Sequence, residues 1–124
     1  MRPLLVLVSV LMFSSVTTAY AAPDLANGAK QFNKCKSCHT IVKGGKNLIG
    51  PNLNGLFGRK SGSVTGYNYS PAMKAAGVTW NDAKLDVYLT DPKAMVKGTR
   101  MSFAGIKNAK DRTDLIAYLK ANTK

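Results

Sequence analysis

Acidic side chains are few in this chain of 124 residues: six, against 18 lysines and arginines, for a formal net charge of +12. That imbalance is silent about fold but predicts attraction to an acidic protein or an anionic membrane face. Long apolar runs are missing too. The longest, Leu4 to Phe13, falls short of the about 20 residues that span a bilayer, and Ser14, Ser15, Thr17 and Thr18 break it at once. Stable membrane insertion is therefore not expected. From Pro23 onward there is no alternation of period two, no internal repeat and no low-complexity stretch, which leaves an all-α class. Histidine occurs once and cysteine twice, so no iron can be held between two imidazoles of this chain.

The amino terminus carries its own message. Met1 and Arg2 form a short positive start, Leu4 to Phe13 an apolar centre, and Ala19-Tyr20-Ala21 a small-x-small cleavage pattern. Together they read as a secretory signal over residues 1–21, leaving residues 22–124 as one small domain. Export without a nucleic-acid-binding motif argues against nucleic acid as partner of the basic surface. It also makes a disulfide the default state of two thiols.

That default meets a competitor at Cys35-Lys36-Ser37-Cys38-His39. Cys-x-x-Cys-His is the attachment spacing of a c-type haem. Thiols at i and i+3 share a face of one helical turn and reach two vinyl groups on a porphyrin edge. The imidazole that follows can turn under the macrocycle to bind iron. The plainer readings are a short disulfide or a thioredoxin-like pair at Cys35 and Cys38, with His39 an ordinary packed residue.

The rest of the chain reads as short helices joined by glycine-rich loops. Asp24 caps a first helix whose stripe of Leu25, Ala29, Phe32 and Lys36 leads into Cys35. Gly28 lies near that stripe, where a missing side chain lets another helix approach. Between Thr40 and Gly66 periodicity fades, and Ile49, Leu53, Leu56 and Phe57 are candidates to pack on a cofactor. Ser70-Pro71 and Asp91-Pro92 each start a short helix, stopping near Gly77 and Gly98. Thr79 begins a helix with Leu85, Tyr88 and Leu89 on one face. Asp111 caps a last one carrying Leu115, Tyr118 and Leu119, whose expected partner is the first helix at Gly28.

Opposite His39, the candidates are methionine or lysine. Met73 and Met95 fall inside short helices, where flexible core filling is an equal explanation. Met101 follows Gly98-Thr99-Arg100 in an extended segment able to cross a haem face, and is preferred on position. A thioether opposite an imidazole raises the potential and fills both axial sites, so such a haem carries one electron and catalyses little.

Several separated stretches then carry a resemblance: Cys-Lys-Ser-Cys-His, Gly50-Pro51-Asn52-Leu53, Gly55-Leu56-Phe57-Gly58-Arg59, Trp80, Gly98-Thr99-Arg100-Met101, Phe103-Ala104-Gly105-Ile106 and Asp114-Leu115-Ile116-Ala117-Tyr118-Leu119. From Asp24 to Lys124 the chain resembles the class I c-type cytochromes, the group of mitochondrial cytochrome c and soluble bacterial cytochrome c2. The resemblance implies a small single-domain all-α fold wrapped around one covalent haem c. It implies thioethers at Cys35 and Cys38, axial ligands His39 and Met101, and the Pro51 carbonyl as acceptor of the other imidazole N–H. Arg59, Tyr69 and Trp80 match positions around the haem propionates. Tyr88 and Thr99 match positions that hydrogen-bond near the methionine or a propionate, and Phe103 the aromatic at the exposed haem edge. Two residues depart from the pattern. Lys97 stands where mitochondrial forms usually have proline, and Met73 where an asparagine commonly helps hold a buried water.

The function implied is electron transfer rather than catalysis, between a membrane reductase of the quinol-cytochrome c type and a terminal acceptor. Lys30, Lys34, Lys93, Lys97, Arg100 and Lys107 are the candidates for a basic rim around the haem edge. They would meet acidic redox proteins or membrane redox complexes transiently, with the carrier as a monomer. The leader places it in the bacterial periplasm, since mitochondrial cytochrome c is imported without one. Two other classes remain for comparison: a haem enzyme or gas sensor with a labile sixth position, and a thiol-disulfide oxidoreductase using Cys35 and Cys38.

Overall fold

A computed structural model describes residues 10–18 and 21–124. The leader reading, resting on residues 1–21, lies partly outside them. Among the described residues there are five helices and no strand: α1 (Leu25–Phe32), α2 (Pro71–Ala75), α3 (Asp82–Thr90), α4 (Pro92–Met95) and α5 (Ala109–Asn122). Lys60 and Thr79 form an isolated antiparallel bridge. No helix among the described residues is long and apolar enough to cross a membrane.

Side-chain caps set where the helices begin. Asp24, Ser70 and Asp91 each accept a backbone N–H of the first turn, as expected. Two starts differ from the sequence reading. α3 begins at Asp82 because the Asn81 side chain accepts from the Lys84 N–H, while Thr79 is engaged in the bridge to Lys60. α5 is capped by Asn108, which accepts from the Asp111 N–H, so Asp111 stands in the first turn instead of at the cap.

α1 packs along α5. At the crossing a Cβ on Gly28 would collide with the Asp114 carbonyl and come within 2.6 Å of Tyr118 Cβ. Phe32 and Tyr118 stack nearby with ring centroids 5.6 Å apart. The buried face of α1 is Gly28, Gln31 and Phe32. Leu25, expected on that stripe, is 49% exposed, since it is the first residue of the helix and lies one turn before the crossing at Gly28.

A polar knot fastens the same joint. The Asp114 side chain, buried on α5, accepts from the Asp24 backbone N–H at 2.9 Å, from Asn27 at 2.8 Å and from Lys110 at 2.6 Å. These bonds hold its carboxyl down at about 2.

One core joins Phe32 and the α5 residues Leu115, Ile116 and Leu119 to Leu56, Trp80, Leu85, Tyr88, Leu89, Val96 and Ile106. The residues after α5 are tied back as well. Gly55 N–H donates to the Thr123 carbonyl at 2.6 Å, and the Asn54 amide to the Lys124 carbonyl at 2.9 Å.

Candidate functional site

α1 ends at Phe32, and the motif follows in tight turns rather than in continued helix. Cys35 N–H donates to the Phe32 carbonyl at 2.8 Å, and Cys38 N–H and His39 N–H both donate to the Cys35 carbonyl, at 3.1 and 2.9 Å. Both thiols are free and half-buried, Cys35 against the core. Burial and the neighbouring Cys38 push the Cys35 thiol up to about 11. A thiol-exchange nucleophile needs the opposite shift, toward thiolate at neutral pH.

The His39 imidazole is held from two sides. Its Nδ1 lies 2.7 Å from the Pro51 carbonyl oxygen, so Nδ1 carries the proton and Nε2 keeps its lone pair for a metal. Burial lowers its pKa from the ordinary value, with Arg59 adding to the effect, which favours the neutral, ligating form. Against the ring lies Gly50, whose N–H donates to the Cys38 carbonyl at 2.8 Å. A Cβ there would come within 2.7 Å of Nδ1 and 2.8 Å of Nε2.

Beyond Pro51 the chain is held by side chains instead of by regular structure. Asn52 donates to Thr40 Oγ1 at 2.7 Å and to the Val42 carbonyl at 2.9 Å. Arg59 donates through Nη1 to the carbonyls of Asn52 and Asn54, at 3.0 and 3.1 Å. Its backbone pairs with Trp80, whose N–H donates to the Arg59 carbonyl at 2.9 Å. Tyr69 is buried, its hydroxyl accepting from the Val64 N–H at 3.1 Å. Leu53 and Phe57 pack against the core and Leu56 lies within it. Ile49, grouped with them in the sequence reading, is 77% exposed, because the turn that brings Gly50 against His39 faces it outward.

α3 supplies the other wall. Tyr88 is buried with its ring centroid 5.0 Å from that of Trp80. Its hydroxyl lies 3.1 Å from Thr99 Oγ1 and 3.6 Å from the Met101 sulfur. Burial raises the Tyr88 pKa, so the phenol stays protonated and can donate. Met101 N–H donates to Thr99 Oγ1 at 3.4 Å. Met101 and Phe103 are half-buried against the core in the extended stretch between α4 and α5, and Met73 and Met95 are half-buried inside α2 and α4.

The structure thus brings His39 to Pro51, and Trp80, Tyr88, Thr99 and Met101 to one another. Two free thiols, a neutral imidazole with Nε2 available and a thioether among apolar side chains form a donor set that fits an iron porphyrin. The six candidate rim residues, Lys30, Lys34, Lys93, Lys97, Arg100 and Lys107, are all exposed. Three of them also make contacts: Lys34 to Gln31, Arg100 to the Asn68 carbonyl and Lys107 to the Thr90 carbonyl. Sequence reasoning gave no role to Gly50, to Asn52, to the Asp114 knot or to Tyr67, whose hydroxyl donates to the Ile49 carbonyl at 2.6 Å. Gly50 and Asn52 adjoin Pro51, which was their one available signal.

A family model described as "Cytochrome c" matches residues 25–123. A protein named "Cytochrome c" from Gibberella zeae is 54% identical over 105 residues, covering 84% of this chain and 99% of its own length. "Cytochrome c2" from Rhodoplanes tepidamans is 53% identical over 96 residues, covering 77% of this chain and 90% of its own. "Cytochrome c" from Arabidopsis thaliana is 50% identical over 102 residues, with 82% and 91% covered. The matched span takes in every residue of the site just described, and the chain belongs to the cytochrome c family, whose members carry one covalently bound haem c and transfer electrons without being enzymes.

Proposed function

We propose that this chain is a periplasmic one-electron carrier whose haem iron would be held by two of its own residues, His39 and Met101. The observation that carries the reading is a pair of supports: the Pro51 carbonyl holds His39 Nδ1 and leaves Nε2 free, and the Tyr88 hydroxyl, itself 3.1 Å from Thr99 Oγ1, lies 3.6 Å from the Met101 sulfur. Met73 and Met95 sit on short helices, whereas Met101 lies on an extended stretch with a phenol donor at its sulfur. The haem supplies an iron that alternates between ferric and ferrous states.

The protein's own residues do the rest. Cys35 and Cys38 anchor the macrocycle through thioethers, and the thioether of Met101 favours the reduced state. Arg59, Tyr69 and Trp80 would stand near the propionates, where Arg59 would offer positive charge. Phe103 lines the exposed edge. Lys30, Lys34, Lys93, Lys97, Arg100 and Lys107 steer an acidic reductase, and later an acidic acceptor, to that edge. Residues 1–21 direct export and are removed, which amino-terminal sequencing of the purified protein checks by a start at Ala22.

The deciding experiment is the visible spectrum of the ferric protein. The weak far-red band of methionine-ligated ferric haem is expected at neutral pH and is expected to vanish in Met101→Ala. Its absence from the parent protein would favour a haem enzyme or sensor with a labile sixth position. Haem that leaves the chain on denaturation would instead point to free thiols at Cys35 and Cys38.

A further inference from the structure

α3 approaches the Met101 loop twice. Near its C-terminal end Tyr88 sets its hydroxyl 3.6 Å from the Met101 sulfur. On the same helix Asp86 accepts a hydrogen bond from Arg112 Nε at 2.8 Å. The other arm of that guanidinium, Nη1, donates to the carbonyls of Ile106 at 2.9 Å and Lys107 at 3.0 Å. These residues close the downstream end of the loop.

The Arg112 side chain is 11% exposed and Asp86 46%, so the bond to the Ile106 carbonyl is buried and the bonds to Lys107 and Asp86 are partly shielded from water. A planar guanidinium holds a carboxylate and two carbonyls at fixed angles, which an ammonium on a flexible stem does not. The same end of the loop is pressed onto the end of α3. Ile106 N–H donates to the Leu89 carbonyl at 2.7 Å and Lys107 Nζ to the Thr90 carbonyl at 2.7 Å. Gly105 has a φ of +95°, and a Cβ there would collide with the Thr90 carbonyl.

We infer that Arg112 is a positioning residue for the sixth ligand: by tying Ile106 and Lys107 to Asp86, it fixes the loop to the helix that carries Tyr88 and holds the Met101 thioether in place. The inference rests on the assignment of Met101 as a ligand made above. Arg112 itself stands on α5, away from the sulfur, and acts only through the loop and α3.

Imidazole titrated into the ferric holoprotein tests this, because it binds iron only where Met101 has left. Its apparent affinity therefore reports the detached fraction. Arg112→Lys keeps the charge and loses the fork, and is expected to raise imidazole affinity about tenfold, the scale of one charge-assisted hydrogen bond. Met101→Ala is expected to raise it further, and adding Arg112→Lys to that variant to change nothing more. Unchanged affinity in Arg112→Lys overturns the inference. So does an equal rise in both backgrounds, since Arg112 would then act on something other than the thioether. A Met101→Ala protein with the parent's imidazole affinity overturns the ligand assignment itself. If Arg112→Lys yields no holoprotein, Asp86→Asn reads the same tie: a rise of about threefold or more supports it, and no rise overturns it.

Discussion

The His39 imidazole leaves no room for a side chain on Gly50, whose own N–H is spent on the Cys38 carbonyl. In Gly50→Ala the ring has to rotate away from Pro51 or the turn has to open, at a cost of about 1–3 kcal/mol for overpacking. The expected outcome is a lower yield of holoprotein with a perturbed haem spectrum, read by absorbance of purified samples; a parent-like spectrum and yield would refute the contact. This position was not legible in the sequence as a packing contact, because nothing in a glycine before a proline says which ring lies against it. Cys35, Cys38 and His39 were legible because their chemistry is written in adjacent residues. The pairing of Pro51 with His39 crosses twelve positions of irregular loop, and only the resemblance pointed to it.

α1 and α5 meet where Gly28 admits the Asp114 carbonyl and Tyr118. Gly28→Ala pushes the two helices apart, and a loss of about 1–3 kcal/mol is expected despite alanine's better helix propensity. Denaturant unfolding of the holoprotein followed by circular dichroism checks the sign; a gain in stability would refute the close crossing. The buried Asp114 beside it makes the joint sensitive to acid. Its carboxyl is held at about 2, below the ordinary 3.8, first by Lys110, then by Asn27 and the Asp24 N–H. A depressed pKa favours the folded form wherever the group is ionised, so this contribution is complete above about pH 4 and is lost as pH falls toward 2. Asp114→Asn is expected to flatten that part of the stability profile, and an unchanged acid limb would show that other carboxylates govern it. At this scale the caps at Asp24, Ser70 and Asp91 were legible, since each stands beside a clear stop or start. Those of α3 and α5 were displaced because Asn81 and Asn108 compete with nearby residues of similar capping power.

The charge balance, 18 basic against six acidic side chains, belongs to no single element. It predicts that association with an acidic redox partner slows steeply as ionic strength rises. Stopped-flow rates across a salt series check this, and rates that stay flat would rule out steering by charge. The all-α class and the order of helices were legible because caps, prolines and apolar stripes are local signals. The path from Thr40 to Tyr69 was not, since Asn52, Arg59, Tyr67 and Tyr69 hold it by side-chain bonds to residues five to 18 positions away that leave no period behind. The α1–α5 crossing also bears on the order of events when the chain is made. α1 lies at the start of the fold and its partner at the end, so a growing polypeptide offers α1 no face to settle on until α5 has been synthesised. Contacts of such long sequence separation carry the loop-closure cost that slows folding.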